Sequence, residues 1–201
     1  MKNLIVVLAA ALLVAPAAFA RKAPLPGQGA PDFKLTDAEG QTHRLADHKG
    51  KIVVLEWTNP GCPYVRKHYD SGNMQKLQEE YAKKGVVWFS IVSSAPGKQG
   101  HMTPEEAKAR VKKDKSKAAA LLLDPDGRVG RLYDAKTTPH LYVVDKKGIL
   151  SYMGAIDDKP TFFKGDVKKA KSYVRAALDA LLAGAKVAEP ATKPYGCSVK
   201  Y

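Results

Sequence analysis

"KIVVLEWTNPGCPYVRKHY", residues 51–69, joins two patterns of different period. Residues 51–57 are a nearly continuous β-branched and apolar run, the pattern of a strand covered on both faces. Beyond Cys62 the apolar positions Val65, Tyr69, Met74, Leu77 and Tyr81 share one side of a helix, which Asp70-Ser71-Gly72 interrupts or kinks. A strand that ends in Thr58-Asn59-Pro60-Gly61 and restarts as a helix sets the Cys62 thiol at a helix N-terminus. Unpaired backbone N–H groups and the helix dipole favour a thiolate there. Such a site commonly brings a thiol below its usual pKa of about 8.5. Arg66 and Lys67, one turn on, are expected to add cationic stabilisation. Cys62 therefore reads as a nucleophile in preference to an inert core cysteine.

Working outward, "FKLTDAEGQTHRL" (33–45) gives two short alternating runs about a turn, a β-hairpin that follows a Pro/Gly-rich lead. "GVVWFSIV" (85–92) repeats the buried-strand pattern. Thr103-Pro104-Glu105-Glu106 is a capping box with Pro at the first helical position, opening a helix to about Ser116. A short strand (118–124) ends in the turn Asp124-Pro125-Asp126-Gly127. There follow a short helix (129–135), a strand "TTPHLYVVD" (137–145), a hairpin partner (149–157), an amphipathic helix (167–182) and a Pro-containing tail (188–201). Strands alternating with helices predict an α/β chain whose parallel central strands carry antiparallel additions, a mixed central sheet flanked by helices.

The first twenty residues stand apart from that fold. Lys2, the apolar run Leu4 to Val14 and Ala18-Phe19-Ala20 are the parts of a secretory signal peptide cleaved before Arg21. The apolar run is short for a membrane span, so no stable membrane insertion is expected after cleavage. The expected organisation is a signal at 1–20, one domain at 21–187 and a tail at 188–201, in a periplasmic or secreted protein. Cleavage removes Lys2, so the 33 Lys and Arg fall to 32 against 20 Asp and Glu, a formal +12. The lysines are scattered over helix faces and turns without interleaved aromatics, which excludes a nucleic-acid partner.

Export makes the two cysteines, Cys62 and Cys197, a permitted pair. Cys197 stands in the tail as a resolving cysteine for oxidised Cys62, as half of a static disulfide pinning the tail, or as an intermolecular link. Loop closure costs little over such a length. Glu56, near the end of an otherwise apolar strand, is either a buried acid that exchanges protons with the thiol or a solvent-facing strand end. His68, His101, His140, Met74 and Met102 offer soft ligands but no recognised metal spacing, so neither a metal nor another cofactor is expected.

Together these residues resemble the redoxin branch of the thioredoxin fold, the alkyl hydroperoxide reductase/thiol-specific antioxidant type, over about residues 27–182. The lead-in "GQGAPDFKLTDAEGQTHRLADHKGKIVVLEW", the "CPYV" segment, "TTPHLYVVD" and "GILSYMGAID" carry the likeness. The resemblance implies a thioredoxin-like fold with an N-terminal β-hairpin and makes Cys62 the nucleophile. It implies a cis bond at Thr138-Pro139 that offers backbone to an extended substrate, and it matches Glu56 to the family's buried acid. Val65 stands where thiol-disulfide oxidoreductase relatives carry a second cysteine. Leu55 and Asn59 replace the Pro and Thr of the peroxidase motif. The expected function is an exported thiol redox enzyme acting on a peroxide or a protein disulfide, with Cys197 as possible resolver and a thiol protein or small thiol as reductant. The alternative is a non-catalytic thioredoxin-fold protein that binds copper or a partner protein, its Cys62–Cys197 disulfide purely structural.

Overall fold

The lead-in hairpin forms as its alternation predicts. β1 (Lys34–Asp37) and β2 (Thr42–Arg44) pair antiparallel with Thr36 opposite Thr42. The Asp37 carboxylate closes the turn by accepting from the Glu39 and Gln41 N–H groups. The structure is a computed structural model that describes residues 23–201, so the signal segment expected at 1–20 lies outside the described residues.

The quoted stretch becomes β3 (Val53–Trp57) and α1 (Pro63–Asp70), and α2 (Asn73–Ala82) follows. The break expected at 70–72 is present, with Gly72 at φ +74° as the N-cap of α2. β4 (Val87–Val92) is the second buried strand. α3 (Pro104–Asp114) starts at the expected capping box, where the Thr103 hydroxyl accepts from the Glu106 N–H and the Glu106 carboxylate from the Thr103 N–H. Then come β5 (Ala120–Leu123), α4 (Arg128–Leu132), β6 (Thr137–Thr138), β7 (His140–Val144) and β8 (Leu150–Gly154). α5 (Tyr173–Leu182) and β9 (Cys197–Ser198) complete the order.

Seven strands form one sheet in the order β2-β1-β5-β4-β3-β7-β8. β3, β4 and β5 run parallel, while β1 on one side and β7–β8 on the other pair antiparallel. β3 is thus central and buried along its whole length. Because side chains alternate faces along a strand, Val54 and Glu56 lie on one side of the sheet and Val53, Leu55 and Trp57 on the other. Val54 packs with Val65, Met74, Leu77 and Tyr81 of α1 and α2 and with Val174 and Leu178 of α5. Val53, Leu55 and Trp57 pack with Phe89, Val129, Tyr133 and Tyr142. Burying a large apolar side chain stabilises by roughly 1.5–3 kcal/mol, so these two layers fix where the end of β3 sits.

Two segments differ from the sequence reading. The strand expected at 137–145 is divided at Thr138–Pro139, whose peptide bond is cis, so β6 leaves the main sheet and pairs with β9. The helix expected from residue 167 begins at Tyr173, because the Ser172 hydroxyl takes the cap position and accepts from the Arg175 N–H. The residues before it, Lys164–Lys169, form a 3-10 helix. The tail is not free. The Thr192 and Met153 backbones tie it to β8, and the Ala95 N–H donates to the Lys200 carbonyl at 2.8 Å.

Candidate functional site

Asn59 builds the turn that presents Cys62. Its side-chain oxygen accepts from the Gly61 N–H at 2.8 Å, and its backbone carbonyl accepts from the Cys62 N–H at 3.0 Å. Its amide donates to the Gln99 carbonyl, which fastens the turn to the loop after β4. Cys62 then caps α1 in extended geometry, its carbonyl taking the first helical bond from the Arg66 N–H. Pro63, which lacks an N–H, occupies the first helical position without loss.

The Cys62 sulfur is fully buried, and as a thiol it donates to the Thr138 carbonyl at 3.1 Å. That carbonyl belongs to the cis bond expected at Thr138–Pro139, 76 residues away in sequence. Opposite it lies the tail. β9 pairs antiparallel with β6, Cys197 standing across from Thr138 and Ser198 across from Thr137. Cys197 packs against the core cluster that holds Cys62, each thiol shifts the other's pKa, and both cysteines are free thiols. Gly196 permits this approach. It adopts φ +133°, and a Cβ there would lie 2.0 Å from the Thr138 carbonyl oxygen.

The two thiols are electrostatically unequal. Burial alone raises the Cys62 pKa, but the Cys197 thiol, the Val65 and Cys197 N–H groups and the Thr138 hydroxyl outweigh it and hold Cys62 below its ordinary value. Burial and the neighbouring Cys62 push Cys197 up to about 11. Cys62 is the one poised to ionise, and Cys197 the one that keeps its proton.

The two cations expected to favour the thiolate each have other partners. The Arg66 guanidinium donates to Asp114 at 2.7 Å and also to Asp70. The Lys67 amine is buried, donates to the Lys159 carbonyl at 2.7 Å and lies 3.6 Å from Asp157.

Glu56 is fully buried, as the acid reading requires. Its carboxylate accepts from Trp88 Nε1 (2.8 Å), the Tyr69 hydroxyl (3.0 Å), Ser90 Oγ (3.1 Å) and Gln78 Nε2 (3.3 Å). Burial nevertheless dominates these bonds and pushes its pKa up to about 7. None of its hydrogen bonds goes to either sulfur; its partner Tyr69 lies on α1, which Cys62 caps, and in the core cluster that also holds Cys62.

Sequence reasoning missed the tail's second anchor. The Tyr195 hydroxyl donates to the buried Asp157 carboxylate at 2.5 Å, and the Lys67 amine lies 5.6 Å from the Tyr195 ring. His68 stands beside this group, but burial and the Lys67 charge push it down to about 3, so it is neutral. No local spacing signals a contact between residues so far apart in the chain. Among the described residues no three His, Cys, Asp or Glu side chains converge as a metal site.

The chain is similar to known proteins. A family model described as the AhpC/TSA family matches residues 26–153, a span that holds Cys62 and Thr138–Pro139 and leaves out Cys197. The thioredoxin-like protein YneN of Bacillus subtilis is 32% identical over 125 residues, 62% of this chain and 68% of that protein. The thiol-disulfide oxidoreductase ResA of Geobacillus kaustophilus is 28% identical over 122 residues, 61% of this chain. The match spans 64% of ResA, just under two thirds of its length. The peroxiredoxin Bcp of Bacillus subtilis is 26% identical over 160 residues, 77% of this chain and 93% of that protein. Among solved structures, a hypothetical protein of Sinorhizobium meliloti 1021 superposes with a TM-score of 0.78 at 27% identity, over 90% of this chain and 96% of that one. The thioredoxin domain of a thiol-disulfide oxidoreductase from Bacteroides vulgatus shares the thioredoxin-like fold, with a TM-score of 0.52 at 22% identity over 72% of this chain and 96% of that one.

Proposed function

The chain belongs to the AhpC/TSA family, and from that premise we propose that it is an exported thiol-disulfide oxidoreductase whose redox couple is Cys62 and Cys197. One observation carries the reading: Cys197 pairs across from Thr138, the residue whose carbonyl, at the cis bond, accepts from the Cys62 thiol. This pairing supplies from the tail the second cysteine that Val65 displaces from the helix. Export rests on the signal pattern of residues 1–20.

The Cys62 thiolate attacks one sulfur of a substrate disulfide. The substrate S–S bond breaks, one sulfur leaves as a thiolate, and the other is held on Cys62 as a mixed disulfide. Consuming the Cys62 sulfur removes one of the causes that keep Cys197 protonated. Cys197 then loses its proton and attacks Cys62, the second substrate sulfur leaves, and an intrachain disulfide remains. A thiol reductant, protein or small molecule, restores both thiols. The Thr138 backbone is the edge on which an extended substrate pairs, as Cys197 does. Glu56, with its pKa near 7, takes and returns protons in the pH range of this exchange.

Peroxide reduction is the second reading, favoured by the Bcp match over 93% of that protein. In it the thiolate attacks a peroxide oxygen, an alcohol or water leaves, and Cys197 condenses with the Cys62 sulfenic acid to release water. Leu55 and Asn59 in place of the peroxidase Pro and Thr weigh for the disulfide reading.

The test treats reduced protein separately with hydrogen peroxide and with a small disulfide, quenches at intervals with a thiol-blocking reagent and maps the peptides by mass spectrometry. A Cys62–Cys197 peptide forming faster with the disulfide is expected. The reverse order of rates makes peroxide the substrate. If neither reagent touches Cys62, a non-catalytic scaffold replaces both readings.

A further inference from the structure

Three aromatic rings reach the surface beside the thiol pair. Tyr64, two residues after Cys62 on α1, meets Phe162 edge-on with ring centroids 6.1 Å apart, and Phe162 lies 4.7 Å from Phe163. On its other side Tyr64 meets Tyr195 of the tail at 5.9 Å. Phe162 and Phe163 are 52% and 61% exposed; Leu25 is the only other exposed large hydrophobic residue among the described residues. Adjacent exposed phenylalanines are unfavourable in water and mark a surface that something covers.

The loop that carries them is well tied. Its Lys159 carbonyl accepts from buried Lys67, the Thr161 hydroxyl donates to Asp166 at 2.5 Å, and the 3-10 helix Lys164–Lys169 packs on α1. The rings are therefore held outward by a fixed backbone. Around them residues 159–171 carry Lys159, Lys164, Lys168, Lys169 and Lys171 against the single acid Asp166. Lys168 and Lys169 are exposed and take part in none of the ion pairs among the described residues.

We infer that Tyr64, Phe162 and Phe163, with their lysine rim, dock a protein redox partner that presents its reactive cysteine beside an apolar patch bordered by Asp and Glu. The inference rests on the thiol-disulfide reading above. The patch is continuous with the site, since Tyr64 bridges Phe162 to Tyr195, two residues before Cys197. A protein seated on it brings a sulfur to Cys62. A bilayer seated there brings none and covers the thiols.

The experiment uses full-length reduced protein and two synthetic peptides, each with one cysteine as a mixed disulfide with thionitrobenzoate next to a leucine. One peptide is flanked by Asp and Glu, the other by Lys, and neutral hydroxyethyl disulfide serves as the small control. At low salt the acidic peptide is expected to react about ten-fold faster or more, with the difference narrowing at high salt. F162S/F163S should slow the acidic peptide about five-fold and leave hydroxyethyl disulfide unchanged. K168E/K169E should reverse the preference between the peptides. Equal rates for the two peptides, or a double phenylalanine variant as fast as the parent, overturn the inference while the disulfide reading stands. Equal peptide rates together with co-sedimentation on phosphatidylglycerol vesicles that F162S/F163S abolishes make the patch a membrane contact, which also overturns it. Failure of every probe, the small disulfide included, removes the disulfide reading and this inference with it.

Discussion

Cys197 stands directly across from Thr138, the residue before the cis proline, in an antiparallel bridge that no side chain larger than hydrogen at Gly196 would permit. On the proposed mechanism the tail takes the edge on which a substrate would pair, with Cys197 standing for the substrate's sulfur. The fully buried Cys62 is covered as a result. Reaction with anything larger than a small molecule requires this two-residue strand to part. A strand of two residues, tied at Tyr195 and again at Lys200, is a short element to open.

Removing the second thiol should stop the cycle at its midpoint. With excess oxidised glutathione, C197S is expected to accumulate a glutathione adduct on Cys62, whereas the parent chain converts to the intrachain disulfide and C62S forms neither. Intact-mass measurement under non-reducing conditions distinguishes these products. A parent chain that also stops at the Cys62 adduct would remove Cys197 from the resolving role.

Gly196→Ala tests the docking of the tail. The added Cβ meets the Thr138 carbonyl at 2.0 Å in a backbone conformation that L side chains rarely adopt, so β9 must shift. Cys62 should then alkylate with iodoacetamide at least about ten-fold faster, a change equivalent to roughly 1.4 kcal/mol of tail-docking free energy. Resolution of a mixed disulfide by Cys197 should slow in the same variant. Unchanged alkylation, with the fold intact by circular dichroism, would show that the tail does not guard the thiol.

The parts of this site that were legible in the sequence are the local ones. The apolar run 51–57 gave β3, Asn59-Pro60-Gly61 gave the turn, and together they set Cys62 at a helix start. For Glu56 the same strand leaves a buried acid and a solvent-facing strand end equally open, and only the fold buries it. The cis bond entered only through the resemblance, since nothing at Thr138-Pro139 itself distinguishes cis from trans. Contacts made across the fold were not legible. Cys62 to Thr138 spans 76 positions and Tyr195 to Asp157 spans 38, and neither distance leaves a periodic trace. The distance of Arg66 and Lys67 from Cys62 along the helix is legible, whereas their partners Asp114 and Asp157, 48 and 90 positions on in the chain, are not.

The thiolate equilibrium of Cys62 depends on its neighbour in the tail. Because the Cys197 thiol is the leading group that holds the Cys62 pKa down, C197A should raise it. The measurement is the pH dependence of Cys62 alkylation, which follows the thiolate fraction. Below the pKa the rate falls about ten-fold per pH unit, so the C197A curve should lie at higher pH than the parent curve. The same midpoint in both, or a lower one in C197A, would assign the thiolate stabilisation to the helix terminus alone.

Glu56 should make stability fall as pH rises. Its pKa is about 4.5 when the chain is unfolded and about 7 in the fold, so the folded state binds the proton more tightly. The stability this contributes is fully present below about pH 4.5 and is lost as pH rises through 7, after which the effect is level. A rise of this size corresponds to about 3 kcal/mol across that window. Other groups impose their own pH dependence on the same window, so the informative quantity is the difference between two proteins. Glu56→Gln carries no titrating proton and keeps an oxygen to accept from Trp88 Nε1. Relative to the parent, E56Q should therefore gain stability between pH 5 and pH 8, by about 3 kcal/mol or less. Urea unfolding at several pH values in that range measures this directly. A parent-minus-variant difference that stays constant with pH would mean that Glu56 keeps an ordinary carboxylate pKa, and its role as the proton-exchanging group would go with it.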